Sequence, residues 1–355
     1  MSTVVLGKGA YGEVVKDTAN HVAVKTFHKL PHIIQEFAAL HYLQDCKYVV
    51  HAKSVNLTSS QLTMELYDLS FRKYMVEGHC CCEECLNLIF RDVLLGLIEL
   101  NDRKLSHSDI KPGNILINLK PLKAVLGDCG FVSIGTYSKQ QRTAQSYRDI
   151  DVVNDLKHDI FSLGVMMLEL YYFVKPVVHD HYNEYQKIIS KKVTNVKHKA
   201  LLKKMMSENR EERPSARDIL KTLYDISPAV YVHAPIFKYD FVSVQKEVYQ
   251  KYDAAKIKEL EEVVKLNYKQ LGIKRAKTGV KALIVYMNKV KIDIRYLNFY
   301  FAAMMIVLAS LFGNRSPVIT DILMVCDMPE HNKKRLIYII DKMIHDRLFL
   351  HILFN

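Results

Sequence analysis

The sequence predicts an α+β protein in which a strand-rich segment is followed by a helical segment and then by a separate all-α domain. Short strand-like runs with glycine turns fill residues 1–66, and longer runs with helical periodicity dominate from about Glu83. A stretch with two prolines and no helical period, residues 225–244, precedes a second helical set. A chain of 355 residues is too long for one comfortable core, which also favours two domains.

Residues 1–66 are predicted to form an antiparallel sheet with one helix. The runs VVLGKGAYGEVV, HVAVKTF, SVNL and QLTMELY have the β-branched character of strands. Before SVNL, the run LPHIIQEFAALHYLQ has helical spacing, and Pro31 is placed to open that helix.

Helices are predicted for most of the following segment. They are CLNLIFRDVLLGLIELNDRK, DIFSLGVMMLELYYFV and the stretch from Ala200 to Tyr224. A sheet followed by a helical lobe predicts a cleft where the two meet, and clefts are where small ligands bind.

Residues 245–355 are predicted to form the all-α domain. Its most apolar run, Tyr296 to Phe312, has about 17 residues, whereas about 20 are needed to cross a bilayer. Small residues stand among bulky ones there, as in a helix buried on all sides. We therefore predict a core helix and no membrane span.

The charge excess is diffuse. Fifty Lys and Arg face 38 Asp and Glu, giving a net charge of +12 that is shared by both halves of the chain. This suits phosphorylated ligands, but it lacks the dense basic stripe of a nucleic-acid binder, so no specific nucleic acid is expected as a partner.

Cysteine usage indicates a reducing compartment. Seven cysteines, an odd number, occur without a signal peptide, which favours an intracellular location. Cys82 and Cys85 with nearby His79 could hold zinc, but no second ligand pair follows at finger spacing. We therefore favour ordinary cysteines at the entry of a helix.

A glycine-rich loop opens the chain. The run Gly7-Lys8-Gly9-Ala10-Tyr11-Gly12-Glu13-Val14 matches G-x-G-x-x-G-x-V, although glycines also make ordinary hairpins. A dinucleotide-binding loop needs a helix straight after the last glycine, whereas here the strand continues. A glycine loop between two strands is typical of a flap over nucleotide phosphates.

Two charged residues follow at informative spacing. Lys25 ends Val22-Ala23-Val24-Lys25, which matches the V-A-I-K motif whose lysine reaches the α- and β-phosphates of a nucleotide. Such a lysine needs a carboxylate to orient it, and Glu36 lies in the middle of the next helix. A solvated helix glutamate is the alternative interpretation of Glu36.

Two further motifs point to phosphoryl transfer. The run His107-Ser108-Asp109-Ile110-Lys111-Pro112-Gly113-Asn114 resembles H-R-D-x-x-x-x-N, and Asp128-Cys129-Gly130 stands where D-F-G stands. A chance loop rich in Asp, Asn and Gly is the alternative for each motif alone. The common order and spacing of all four motifs favour one shared site.

Residues 1–224 therefore resemble a eukaryotic-type protein kinase, with an N-lobe at 1–66 and a C-lobe at 67–224. The resemblance implies the bilobal kinase fold, ATP as phosphoryl donor, Mg²⁺ as cofactor and Ser/Thr-containing proteins as substrates. It makes Asp109 the catalytic base and Asn114 and Asp128 the metal ligands. Lys111 would contact the transferred phosphoryl group, as in Ser/Thr kinases.

The resemblance also implies a nucleotide pocket. Its residues would be Leu6, Gly7, Gly9, Gly12, Val14, Ala23, Lys25, Met64, Glu65, Tyr67 and Leu116. Met64 falls at the gatekeeper position, and the backbone from Glu65 to Tyr67 would bind the adenine edge. Each apolar side chain among these residues has an ordinary core interpretation as well.

Other positions match the family or depart from it. Asp159 resembles the aspartate that braces the catalytic loop, and Arg213 resembles the late arginine of the helical lobe, with Asp151 as its expected acidic partner. Ser108 replaces the arginine of H-R-D, which normally binds an activation-loop phosphate, so activation by loop phosphorylation is not expected. The phosphorylatable residues of the loop are Thr136, Tyr137, Ser138 and Thr143.

The second domain, residues 245–355 after the linker at 225–244, resembles a cyclin box. We expect five helices there, and the family order is kept by VKALIVYMNKV, the apolar YLNFYFAAMMIVLASLF, a short helix at SPVITDILMVCD and a long amphipathic fifth helix at HNKKRLIYIIDKMIHDRLFLHILF. The segment Leu30 to Glu36 is similar to the cyclin-binding helix of cyclin-dependent kinases. We therefore expect the second domain to dock on that helix. Such a fusion suggests a protein of a large DNA virus. Its expected location is the host cytoplasm, with the host nucleus as the alternative.

Two functional hypotheses follow. The first is an active Ser/Thr kinase, which the complete set of Lys25, Glu36, Asp109, Asn114 and Asp128 favours. The second is a weakly active pseudokinase that binds host partners through its helical half, for which Ser108 and Cys129 leave room.

Overall fold

A computed structural model describes residues 3–79, 82–134, 146–149, 155–177, 181–230, 276–292, 296–312 and 332–354, together with single residues and short pieces between 244 and 262. By internal contacts the chain divides into two compact units. One unit contains Met1–Gln44, His51–Glu65 and His233–Asn355, and the other contains Asp45–Val50 and Leu66–Val232.

The described elements are numbered in chain order. The strands are β1 (Thr3–Gly9), β2 (Gly12–Asp17), β3 (Val22–Phe27), β4 (Ala52–Asn56), β5 (Gln61–Glu65), β6 (Leu69–Ser70), β7 (Leu105–Ser106), β8 (Ile115–Leu119), β9 (Leu122–Leu126) and β10 (Ser133–Ile134). The helices are α1 (Leu30–Tyr42), α2 (Phe71–Val76), α3 (Glu83–Asp102), α4 (Leu156–Tyr172), α5 (His181–Lys192), α6 (Val196–Met205), α7 (Ala216–Tyr224), α8 (Ala276–Val290), α9 (Leu297–Phe312), α10 (Lys333–Ile344) and α11 (Arg347–Phe354).

The first unit contains a five-stranded antiparallel sheet in the order β1-β2-β3-β5-β4. The strands and the single helix predicted for this part of the chain are confirmed, and Pro31 lies in the first turn of α1 as expected. A proline is tolerated there because its missing N–H has no partner within the helix.

Helix α1 is covered on both sides within this unit. It contacts β3, β4 and β5 of the sheet, and it also contacts α9, α10 and α11 from the C-terminal part of the chain. Residues all around the helix are therefore buried, among them the polar Gln35 and Glu36. A helix in this position takes its orientation from two layers rather than one.

The C-terminal helices of the first unit differ from the prediction at one point. The long fifth helix predicted over residues 331–354 is wrong, because α10 ends at Ile344 and α11 begins at Arg347. Asp346 causes the break: its Oδ1 accepts hydrogen bonds from the backbone N–H groups of Leu348 at 2.9 Å and Phe349 at 3.1 Å. A side-chain cap of this kind starts a new helix. The predicted SPVITDILMVCD helix lies outside the described residues.

Helix α9 is the buried core helix that its sequence predicts. Its side chains from Phe301 to Phe312 are buried throughout. It packs closely on α8, since a Cβ added to Gly279 would lie 2.2 Å from Leu308 Cδ1. In the part of the chain that the structure describes, no helix is both long and apolar enough to cross a bilayer.

The second unit contains two small sheets, β6-β8-β9 and β7-β10, and the helices α2 to α7. Helix α3 packs on β9 and on α7, while α4 is buried along most of its length. Along the chain, the predicted catalytic loop, residues 107–114, lies between β7 and β8.

Candidate active site

The glycine loop is a hairpin between β1 and β2. Gly9 pairs with Gly12 across the turn, and the second strand continues after Gly12 as predicted. A Cβ at Gly12 would lie 2.1 Å from the carbonyl oxygen of Thr26 on β3, so only glycine fits there. Gly7 has no atom within 4 Å of an added Cβ, and its backbone is therefore open on that side.

The predicted lysine–glutamate pair is formed. Lys25 Nζ on β3 lies 2.6 Å from Glu36 Oε2 on α1, and both side chains are buried. An ion pair removed from water persists only when its geometry is good and both partners are present. The pair therefore fixes the position of α1 relative to β3.

The remaining nucleotide residues are placed as follows. Ala23 and Met64 are buried neighbours in the β3–β5 register, whereas Leu6 on β1 is exposed. Glu65 ends β5, and its carboxylate lies 3.5 Å from Nδ1 of His51. In the second unit, half-buried Leu116 on β8 lies so close to Gly127 that an added Cβ would come within 2.9 Å of it. Val14 lies on β2, and Tyr67 follows β5. Their contacts with adenine stay predictions.

Asp109 is the centre of a compact polar cluster in the second unit. Its Oδ2 accepts hydrogen bonds from Lys111 Nζ at 2.6 Å and from Asn114 Nδ2 at 2.7 Å. Its Oδ1 is buried and has no hydrogen-bond partner among the described residues. A buried carboxylate oxygen without a partner is costly, and it is the kind of acceptor that a substrate hydroxyl would satisfy.

Asp159 holds the backbone of the catalytic loop in place. Its two carboxylate oxygens accept from the backbone N–H groups of His107 at 2.6 Å and Ser108 at 2.7 Å. These bonds secure Ser108 at φ 68°, a left-handed backbone that non-glycine residues rarely adopt. The bracing expected of Asp159 is thus present in the structure.

His107 connects this loop to the strand that precedes Asp128. Burial lowers the pKa of His107, so its ring is neutral. Its Nδ1 accepts from the backbone N–H of Asp109 at 3.3 Å, which leaves Nε2 to donate to the carbonyl of Gly127 at 2.9 Å. The Gly127 N–H in turn donates to the Asn114 carbonyl at 2.8 Å.

Asp128 and Asn114 suit the predicted magnesium ion. Asp128 has left-handed backbone angles, φ 53° and ψ 62°, directly after the segment that is bonded to Asn114. The amide nitrogen of Asn114 is used by Asp109, which leaves its amide oxygen for a cation. Carboxylate and amide oxygens are the donors that Mg²⁺ prefers.

A zinc site at the cysteines has no support in the described residues. No group of three or more His, Cys, Asp or Glu side chains there could hold a metal ion. Cys82 is exposed at the start of α3 and Cys85 is half-buried, and neither forms a disulfide with another described cysteine.

The acidic partner predicted for Arg213, Asp151, lies outside the described residues. Among the described residues, the buried guanidinium of Arg213 lies 2.5 Å from Asp149 Oδ2. Arg210 shares the same oxygen at 2.5 Å, and Tyr182 donates to the other. Burial is the largest single influence and opposes ionisation of Asp149, but the hydrogen bonds and charges of Arg213, Tyr182 and Arg210 together outweigh it and keep the pKa of Asp149 below its ordinary value.

Sequence reasoning also missed two serines that contact Ser108. They are Ser106 and Ser133, whose hydroxyls lie 3.1 Å from the Ser108 hydroxyl. The loop residues singled out as phosphorylation sites, Thr136, Tyr137, Ser138 and Thr143, lie outside the described residues.

Comparison with known proteins identifies the family. The family model for the protein kinase domain matches residues 2–224, which is more than half of the chain. The chain belongs to the protein kinase family. The fold agrees with this, since an N-terminal antiparallel sheet with its helix precedes a mainly helical unit.

Curated relatives share the kinase region at low identity. The mouse interferon-induced, double-stranded RNA-activated protein kinase is 30% identical over 155 residues, which are 38% of this chain and 28% of that protein. The serine/threonine-protein kinase dst3 of Dictyostelium discoideum is 28% identical, covering 41% of this chain and 27% of its own length. The Drosophila membrane-associated tyrosine- and threonine-specific cdc2-inhibitory kinase is 29% identical, covering 45% and 32%. The chain thus spans less than a third of each of these relatives.

Proposed function

We propose that this protein is an ATP- and Mg²⁺-dependent Ser/Thr protein kinase that transfers the γ-phosphoryl group to protein hydroxyls. The observation that carries the proposal is the arrangement at Asp109, where one carboxylate oxygen binds Lys111 and Asn114 and the other is buried with no hydrogen-bond partner in the described part of the chain. That second oxygen is free to orient the acceptor hydroxyl and to take its proton.

The other residues supply charge and position. Lys25, oriented by Glu36, holds the α- and β-phosphates, and Lys111 stabilises the charge on the transferred phosphoryl group. Asn114 and Asp128 would hold Mg²⁺, which neutralises phosphate charge when it is bound. A lysine two residues after the catalytic aspartate supports Ser/Thr substrates, and the relatives include Ser/Thr kinases as well as kinases named for tyrosine and threonine.

A phosphorylation assay with the full-length protein tests the proposal. Labelled ATP, Mg²⁺ and a generic basic protein substrate should give phosphoserine and phosphothreonine, and Asp109→Asn should abolish incorporation. The matched control is Asp225→Asn, since Asp225 is an exposed partner of Lys221. Equal labelling by wild type and Asp109→Asn would contradict the kinase proposal and favour the pseudokinase hypothesis.

We further propose that the C-terminal helices form a cyclin-like domain that activates the kinase in cis through α1. The contacts on α1 support this. His41 Nε2 lies 3.1 Å from the carbonyl oxygen of His345, just after α10, and the rings of Phe37 and His345 have centroids 4.8 Å apart. Both Phe37 and His41 lie on the helix that carries Glu36, so packing here holds Glu36 towards Lys25.

A point variant in the full chain tests activation in cis. His345→Ala removes the ring that contacts Phe37 and should lower kcat about fivefold or more, the lower end of a typical coupling between sites. Tyr338→Ala is the control, because Tyr338 is an exposed aromatic residue of neighbouring α10. If the two variants have equal kcat, the C-terminal helices act as a docking module for partners instead.

A further inference from the structure

Three buried serines form a closed cluster beside the catalytic loop. The hydroxyl oxygens of Ser106 and Ser133 lie 2.7 Å apart, and each lies 3.1 Å from the Ser108 hydroxyl. All three residues are buried, with exposed fractions of 3% or less. We call this cluster the serine triad.

The triad satisfies its own hydrogen bonds. Each hydroxyl has one proton to donate and can also accept, so three hydroxyls in a triangle can form a ring of three O–H···O bonds. No proton is then left without an acceptor, and no ion is needed to balance the site. Buried polar groups are stable when every member of such a network is satisfied.

The triad connects the two loops that carry the catalytic aspartates. Ser106 on β7 pairs with Ser133 on β10 through the backbone as well. Ser108 directly precedes Asp109, and Ser133 follows the Asp128-Cys129-Gly130 segment. The triad is thus a side-chain link, buried and uncharged, between the catalytic loop and the start of the activation segment.

Charge distinguishes this link from a phosphate-reading one. An arginine at position 108 would bring a buried positive charge that requires an anionic partner. The triad brings no charge, and its bonds are complete within the three residues. A phosphate added nearby would find no cation in the triad to bind.

We propose that the serine triad is a positioning device that aligns Asp109 with the Asp128 loop and makes this alignment independent of phosphorylation. The inference rests on the proposed kinase function. Ser106, Ser108 and Ser133 touch no substrate in this scheme and act through Asp109 and Asp128.

Matched variants of Ser133 isolate the hydroxyl. Thr and Val have nearly the same shape, but only Thr keeps the O–H group, so Ser133→Thr should retain kcat. Ser133→Val should lose about tenfold in kcat, equivalent to about 1.4 kcal/mol, with KM for ATP unchanged. If both Thr and Val at position 133 lower Tm, the variants Ser133→Ala and Ser108→Ala are used instead. Their kcat is compared with that of wild type at equal folded fraction. Equal kcat for all variants and wild type overturns the proposal.

If the three hydroxyls form one ring, losing one of them should have the same effect as losing two, which gives a second test of the proposal. Removing one hydroxyl already opens the ring, so Ser108→Ala, Ser133→Ala and the double variant should all lose similar activity. Hydrogen exchange should quicken in residues 105–109 and 131–134 of each variant at unchanged Tm. Additive losses, or unchanged exchange, would show that the serines merely fill space.

Phosphatase treatment tests the regulatory half of the inference. Wild-type full-length protein, treated with a broad-specificity protein phosphatase that is then removed, should keep its kcat within about twofold. A loss of a hundredfold would show that a phosphate is needed and would overturn the inference. An inactive wild type would instead count against the kinase function itself, so the two failures are distinguishable.

Discussion

Tyr42, in the last turn of α1, stacks on Phe354 at the end of α11, with ring centroids 4.7 Å apart and planes 20° from parallel. Both side chains are buried. The two residues are separated by most of the chain, yet they join the helix that carries Glu36 to the last helix described. Packing at the C-terminal end is therefore part of the environment of the Lys25–Glu36 pair.

A double-mutant cycle on this stack should reveal coupling to catalysis. Tyr42→Ala and Phe354→Ala should each lower kcat several-fold, and the double variant should lose less than the product of the two. Aromatic pairs contribute about 0.5–1.5 kcal/mol beyond area burial, so a coupling of this size is expected in kcat. Phosphate incorporation at saturating ATP measures it. Independent effects of the two changes would contradict direct coupling.

Breaking the Lys25–Glu36 pair should reduce both stability and activity. Glu36→Gln leaves the Lys25 ammonium buried without its counter-charge, which costs about 3–5 kcal/mol when a buried pair is broken. We expect kcat/KM to fall about a hundredfold or more, because phosphate binding needs the oriented lysine. Glu77→Gln is the control, since its exposed pair with Lys73 contributes less than about 1 kcal/mol. Urea unfolding and steady-state kinetics would report both effects.

Asp149 should be a stability residue of the second unit. Asp149→Asn removes the charge shared by Arg213 and Arg210, and it leaves a fully buried guanidinium unpaired. A loss of about 3–5 kcal/mol is expected by urea unfolding. The double variant Asp149→Leu with Arg213→Met should recover part of it, because neither charge then remains buried alone. No recovery would indicate that packing, not charge, dominates at this site.

Acid should destabilise the second unit through His158. Burial lowers the pKa of His158 to about 4 from its ordinary value of 6.5, and neither ring nitrogen has a hydrogen-bond partner among the described residues. Between these two values the unfolded chain binds a proton that the folded chain does not. Stability is therefore full above pH 6.5 and falls as the pH drops towards 4, by about 3 kcal/mol from this residue.

The variant His158→Leu isolates this contribution. Urea unfolding from pH 7.5 down to pH 4.5 should show a shallower loss of stability than in wild type. Other buried histidines titrate in both proteins, so the difference between the two curves belongs to His158. Parallel curves would show that His158 has the same pKa in the folded and the unfolded chain.

The residues of the kinase motifs were predictable because the spacing of each motif is set by local structure. Position 12 must be glycine because a Cβ there would clash with the Thr26 carbonyl. Lys25 must lie on β3, where its side chain reaches Glu36 on α1. Strand and helix periodicity then placed most elements of both units. Such local rules account for the sheet, for α1 and for the loop around Asp109.

The features that were missed depend on contacts between distant positions. Arg213 pairs with Asp149 across 64 positions, a contact that local spacing does not show. Ser133 joins Ser106 across 27 positions, and serine has no distinctive pattern in sequence. The break at Asp346 lies within a continuous apolar period, where a single capping side chain outweighs the helical pattern.

The double covering of α1 has a consequence for inhibitor chemistry. A ligand that enlarged the space between Lys25 and Glu36 would have to move α1 outward, away from β3. Here the outward side is filled by α9, α10 and α11, so such a compound would have to unpack a hydrophobic layer before it could bind. Ligands that leave the helix in place are therefore the better starting point for this protein.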